Sequence, residues 1–307
     1  IMNTTDNLTP ETRADDMRRA YDQYLRRGHE RYELSDVSLD SMGYLLPKRL
    51  ESKLVNAMNT LSVLRPLCTE VTTSGDRALP VVNGHGRAAW VPDGHPIPQV
   101  RDAFDRVNLD SHKLAAIIRV TNELLKDSAV DIEAYLAATF ADRLAVSEEE
   151  AFIAGDGAEK PLGLIHQAKV GFTTESAASV SIEDVLNLIF SVPEKHRRNG
   201  TLLLNDKTLL QLYKQCAAQG QNLWLGKDDT FFGYRIVRCA SMPDVASGSM
   251  TILFGDFKQV YINNNGDRSI KRLDQLFIAN DHIGFQMMER VGIKMTVPDA
   301  VKGLQVA

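Results

Sequence analysis

Cysteine is scarce in this 307-residue chain, long apolar runs are missing, and basic residues do not outnumber acidic ones. Each shortage excludes something. The three cysteines (Cys68, Cys216, Cys239) are far apart and none has C-x-x-C spacing. An odd count cannot close a full disulfide set, so they fit a reducing cytosol and small apolar packing roles. No stretch of about 18 apolar residues is present, so no membrane-spanning helix is expected. No basic–apolar–small signal opens the chain, and Ile1 ahead of Met2 reads as an added or processed start. The net charge of −5 and pI near 5.8 disfavour a protein built to grip DNA along a groove.

The motifs of catalysis are missing too. There is no G-x-x-x-x-G-K-[ST], no G-x-S-x-G and no H-E-x-x-H. Gly155-Asp156-Gly157 resembles a phosphate cradle only superficially. Lys160 stands where G-x-G-x-x-G needs glycine, and the turn follows a helix rather than a strand. Glu148, Glu149 and Glu150 point in different directions on a helix and cannot converge on one ion. They are read as a solvated or subunit-facing acidic patch. The seven histidines lack ligand spacing, and His85 with His95 makes only a weak zinc pair. No catalytic, cofactor-binding or metal residue is assigned.

What is present is organisation. Residues 1–40 are polar, with one short helix ending at Gly28. Its thin apolar stripe (Met17, Tyr21, Tyr24, Leu25) lies among Arg18, Arg19, Arg26 and Arg27. Such an arm buries little of its own surface, so it is either disordered or laid on a neighbour. Pro47 opens a helix with Leu50, Leu54, Val55, Met58 and Leu61 at helical spacing, and Pro66 is expected to end it. A strand is expected over 69–82. Residues 83–106 hold six prolines and glycines (Gly84, Gly86, Pro92, Gly94, Pro96, Pro98) without strand or helix period, so they should project as an extended hairpin or flap. The apolar members Trp90, Val91, Ile97 and Phe104 then need a partner surface. A returning strand over 107–121 follows.

Asp127, Ser128 or Asp131 opens a long helix on which Ile132, Leu136, Phe140 and Leu144 recur every four residues, with Tyr135 and Phe152 near the same stripe. About 25 residues would span about 37 Å. Gly155, Gly157, Pro161 and Gly163 form the turn that stops it. Beyond 165, helices at 181–198 (capped by Ser181) and 206–220 (capped by Asp206) alternate with strands at 201–205, 231–243 and 250–257. This predicts an α/β domain. A long strand over 283–296 should share a sheet with 107–121.

The order of several landmarks resembles the tailed-phage major capsid proteins of the HK97-type fold. They are Gly43-Tyr44-Leu45-Leu46-Pro47, Glu123–Ser128, the long helix, Gly155-Asp156-Gly157 with Lys160-Pro161-Leu162-Gly163, Gly255-Asp256-Phe257, Arg290-Val291-Gly292 and Pro298–Ala300. The resemblance runs from about residue 40 to the end. It implies an α+β chain with an N-terminal arm (1–55), an extended E-loop (83–108), a P-domain with a long spine helix (56–82, 109–160, 261–296) and an α/β A-domain (161–260, with 297–307 returning to it).

It also implies hexamers and pentamers of the chain itself in an icosahedral shell within the virion, assembled in the host cytoplasm. The implied partners are a portal, a scaffold or maturation protease, cement proteins, and double-stranded DNA contacted non-specifically. Mild acidity suits a shell that must not hold its genome tightly. Trp90, Val91, Ile97 and Phe104 of the E-loop become assembly residues, as do Arg18, Arg19, Tyr21, Tyr24, Arg26 and Arg27 of the arm.

Two departures stand out. Residues 83–108 contain no lysine, so an isopeptide weld from that loop is not expected. Only about 40 residues precede the Gly43 landmark, which implies either a cleaved scaffolding segment or a separate scaffold. The alternatives are an encapsulin or gene-transfer-agent shell of the same fold and, from another class, a cytosolic α/β hydrolase.

Overall fold

A computed structural model describes residues 25–26, 48–73, 78–84, 90–91, 103–126, 131–177, 179–218, 230–266 and 268–307. In chain order the helices are α1 (Lys48–Leu61), α2 (Leu64–Leu67), α3 (Asn122–Lys126), α4 (Ile132–Ala154), α5 (Leu164–Gln167), α6 (Ile182–Ser191), α7 (Glu194–Arg197) and α8 (Asp206–Ala218). The strands are β1 (Thr69–Thr73), β2 (Ala78–Gly84), β3 (Ala103–Asn108), β4 (His112–Thr121), β5 (Lys169–Thr173), β6 (Thr201–Leu204), β7 (Thr230–Phe231), β8 (Tyr234–Arg238), β9 (Met250–Gly255), β10 (Val260–Asn265), β11 (Ser269–Leu273), β12 (His282–Met295) and β13 (Val301–Gln305). The chain forms two units, each gathered from three stretches. The first takes 1–62, 113–148 and 266–290, and the second takes 63–112, 149–265 and 291–307.

In the first unit β4 pairs with β12, and β11 runs antiparallel to β12 with Ile270 opposite Met287. Helix α4 lays Ile132, Leu136, Phe140 and Leu144 into a core with Leu54 and Met58 of α1, Ile118 and Val120 of β4, and Phe285 and Met287 of β12. Every fourth residue of the helix faces that core, as the period requires. Arg268 and Glu289 are buried together, with Nε donating to Oε2 at 2.7 Å.

In the second unit a six-stranded sheet runs β5-β13-β9-β6-β8-β7. Val185, Leu188 and Ile189 of α6 and Leu209 and Leu212 of α8 close a core on Leu202, Ile252 and Phe254 of its strands. Here too β10 pairs parallel with β1 and antiparallel with residues 291–295 of β12. Strands β2 and β3 form a separate two-stranded ladder, from Ala78 opposite Asn108 to Gly84 opposite Ala103.

Several expectations are corrected. Helix α1 stops at Leu61, and Pro66 lies inside the single turn of α2, where its missing N–H costs nothing. The stretch 69–82 is two strands rather than one, and so is 107–121, which divides into β3 and β4. Pro193 breaks the 181–198 helix into α6 and α7. The 231–243 segment folds back at Phe232-Gly233, both at positive φ, so β7 and β8 are a hairpin. The spine helix is 23 residues, about 35 Å.

Candidate assembly elements

The flap is built on local pairing. Alternating short-range hydrogen bonds of β2 and β3 make its stem, and a register shift between Val82 and Gly84 marks the start of its distal part. Beyond the stem Trp90 is fully exposed and Val91 is half-buried. Among the described residues this indole is the largest apolar group left exposed, and burying it is worth about 2–3 kcal/mol to whatever covers it. Phe104 sits in β3 opposite Val82. Ile97 lies outside the described residues, as do His85 and His95.

Of the arm, Leu25 and Arg26 are described. Leu25 is fully buried in the first unit's core. Arg26 Nη1 donates to the Leu125 carbonyl of α3 at 3.1 Å, and Arg272 Nη1 donates to the Leu25 carbonyl at 2.7 Å. This turn of the arm is tied to its own subunit. Arg18, Arg19, Tyr21, Tyr24 and Arg27 lie outside the described residues.

The turn after α4 is set by backbone crowding. Gly155 N–H donates to the Ala151 carbonyl and closes the helix at 2.9 Å. Gly163 N–H then donates to the Gly155 carbonyl, also at 2.9 Å, bringing the chain back against its exit point. A Cβ on Gly155 would overlap the Pro161 carbonyl oxygen, and one on Gly163 would overlap the Ile153 carbonyl oxygen. Gly157 has φ +79°, a conformation glycine adopts without strain. Asp156 accepts from Ala158 N–H at 3.1 Å and is held below the usual carboxylate range by that bond. Pro161 and Gly163 are buried. The four turn residues meet as the sequence suggests, in a packing role.

The carboxylates at the helix end differ from their expected solvated state. Glu148 is buried and only Glu150 is exposed. Glu149 Oε1 accepts the Val63 N–H at 3.0 Å and the Cys239 thiol at 3.7 Å. Burial raises the Glu149 pKa, and the Val63 bond opposes the rise. Because the folded pKa is raised, the protonated form is favoured in the native state. That stability is present below the ordinary glutamate range and is lost as pH rises through the raised value. Glu149→Gln keeps the acceptor and sheds the charge, so it should melt at or above the wild-type temperature at pH 8 and flatten the dependence between pH 4 and pH 8. Glu149→Ala should cost about 1–3 kcal/mol by orphaning the Val63 donor. Thermal melts of the three proteins at several pH values decide this.

Residues that the sequence reading missed are mostly caps. Asp184 completes a capping box with Ser181 at 2.8 and 3.1 Å. Asn205, rather than Asp206, caps α8 by accepting from Thr208 N–H at 2.7 Å. Both have the S/T-x-x-D or N-x-x-T spacing that could have flagged them. Tyr135, placed near the buried stripe, is instead exposed.

No reactive centre forms in what is described. The Cys68 and Cys239 thiols are each pushed up to about 12, chiefly by burial, which keeps them inert. All three cysteines are buried, and none is in a disulfide. Among the described residues no group of three or more His, Cys, Asp or Glu could hold a metal, and no helix is long and apolar enough to cross a membrane. What the described residues offer is a two-stranded β2–β3 stem and, beyond it, an exposed Trp90.

Comparison with known proteins finds matching landmarks. The model of the phage capsid family matches residues 42–306. The major capsid protein of Klebsiella oxytoca phage phiKO2 is 21% identical over 262 residues, covering 78% of this chain and 61% of that protein. The major capsid protein of Escherichia phage T5 is 28% identical over 144 residues, covering 45% of this chain and 28% of that protein. This chain therefore spans less than two thirds of either relative. Among solved structures, the capsid of a native GTA particle superposes with TM-score 0.68 at 25% identity, over 93% of this chain and 98% of that one.

Proposed function

This chain belongs to the phage capsid family, and from that premise we propose that it is a major capsid protein whose copies close an icosahedral shell around double-stranded DNA. The match over residues 42–306 carries the reading, because it takes in both units and the flap together. The geometry supports it: Trp90, beyond the β2–β3 stem, is fully exposed among the described residues.

In this reading hexamers and pentamers form by burying the E-loop (83–108) and arm (1–55) of each subunit on its neighbours. Obligate interfaces of this kind run to several thousand Å². Individual contacts need not be strong when many act at once. The six-stranded sheet, drawn wholly from 169–255 and 301–305, supports 161–260 with 297–307 as the A-domain. The spine helix and long β12 strand support the P-domain assignment. Assembly in the host cytoplasm and engagement of portal, scaffold or protease, and cement proteins complete the proposal.

A second reading is favoured by the GTA neighbour: a gene-transfer-agent shell of the same fold. Purified particles treated with nuclease, then opened and sequenced, separate these. One protected genome supports the phage reading and assorted host fragments the gene-transfer-agent reading. Particles free of nucleic acid would overturn both and favour an encapsulin.

A further inference from the structure

The basic run Lys195–Arg198 has no role in the account above. It forms α7, begun by Pro193, on the second unit. Strands β5 and β13 bring two more cations to it, with Lys169 opposite Lys302 in the parallel ladder. The Lys302 ammonium donates to the Ser191 carbonyl at the end of α6, at 2.6 Å, where a cation meets the negative end of the helix. Lys169 pairs with Asp299 at 2.9 Å. The Asp299 carboxyl lies below its ordinary value, first through the Lys169 hydrogen bond and further through the nearby charge of Lys302. Ser191 lies two residues before Pro193, which opens α7, so the Lys302 bond sets the strand lysines beside α7.

The cations are held in place. The Arg197 guanidinium lies 4.6 Å over the Phe190 ring, which is 70% exposed. Arg198 pairs with Glu194 at 3.0 Å within the same turn and remains 77% exposed. Lys195 is exposed and makes no ion pair among the described residues. Beneath them His196 is buried, and burial holds its pKa below the usual imidazole range. It adds no positive charge near neutral pH. Five permanent cations therefore face the surface carboxylates Glu194 and Asp299 and the buried Asp256, on a chain whose net charge is −5.

We infer that the α7–β5–β13 face binds the phosphodiester backbone of double-stranded nucleic acid, without sequence preference. The proposal rests on the shell reading, and it assigns this face to the enclosed DNA. Two observations choose duplex phosphate over other partners. Three of the five cations are lysines, which stay hydrated and are disfavoured in packed protein interfaces but suit phosphate as point charges. Phe190 already carries a guanidinium on its ring, so that face is not free to stack an unpaired base. The two guanidinium forks are engaged, Arg197 on the Phe190 ring and Arg198 on Glu194, which disfavours their reading base edges.

The test titrates a fluorescent 30-base-pair duplex of random sequence with the full chain across a range of salt concentrations, and images the same variants for assembly. Each neutralised phosphate contributes roughly 0.9 to the slope of log K against log salt. Lys195→Ala with Arg198→Ala should lower the slope by about 2 and leave shells and melting temperature unchanged. Lys195→Arg with Arg198→Lys should keep the slope. Lys126→Ala with Lys214→Ala, two exposed lysines outside the face, should keep it too.

An unchanged slope in the alanine pair overturns the proposal, as does failure of the wild-type chain to bind duplex. Loss of shells with duplex binding intact would show the face to be a protein interface instead, and also overturns it. If the wild-type chain forms no shells, the shell reading fails separately, while duplex binding by dispersed subunits still reports on this face.

Discussion

Deleting residues 86–100 leaves a soluble, folded subunit that does not close shells. The deletion spares most of the β2–β3 stem, whose ladder ends at Gly84 and Ala103. It removes Trp90, which is fully exposed and so gives its own subunit almost no burial. The melting temperature of the dispersed subunit should therefore hold within a few degrees. Assembly should not. Losing one buried indole per contact withdraws about 2–3 kcal/mol, which raises the subunit concentration needed for assembly by roughly 30-fold or more per contact. Sedimentation of wild type and deletion at matched concentration reads the effect. Normal particles from the deletion variant would refute the role given to the flap.

Gly155→Ala should fail in the opposite way, within the subunit. The added methyl meets the carbonyl oxygens of Pro161 and Ala151, both backbone atoms, and the Ala151 carbonyl already accepts the Gly155 N–H that closes the helix. Neither can rotate away, so either the end of α4 or the return to Gly163 must shift. The expected cost is about 4 kcal/mol or more, in the range reserved for specific structural faults. For a chain of this size that lowers the melting temperature by about 8 °C or more. Gly248→Ala is the control. Its φ is +77°, yet open space surrounds it, so only the backbone penalty of about 1–2 kcal/mol applies. Equal effects at both sites would show that conformational strain, and not crowding, governs the turn.

The fold was legible where one periodic pattern decided the outcome. The four-residue spacing of Ile132, Leu136, Phe140 and Leu144 announced a buried helix face, and all four are buried. The glycine turn was legible because helix stops have a local chemistry. The alternation of strand and helix after 165 was enough to expect an α/β sheet, but not its strand β5 or the division of 231–243 into β7 and β8.

What stayed hidden depends on contacts distant in sequence. Tyr135 lies next to the apolar stripe in sequence, but the partner surface is not wide enough to cover it. Glu148 is buried, and Glu149 is drawn inward by Val63 N–H, 86 residues away in sequence. Asn205 outcompetes Asp206 as a cap because its amide also donates to the Met242 and Pro243 carbonyls and to Asp244. Of the residues proposed for assembly, the structure describes Trp90 and Val91 beyond the β2–β3 stem, Phe104 in the stem and Arg26 against its own unit. On the proposed reading a second copy covers Trp90, and one chain's sequence does not display its neighbour's surface.

Electron microscopy of the purified full-length chain tests the central claim most directly. The account predicts closed, icosahedral particles of uniform diameter. A field of dispersed single subunits, at concentrations where the protein is folded and soluble, would contradict it.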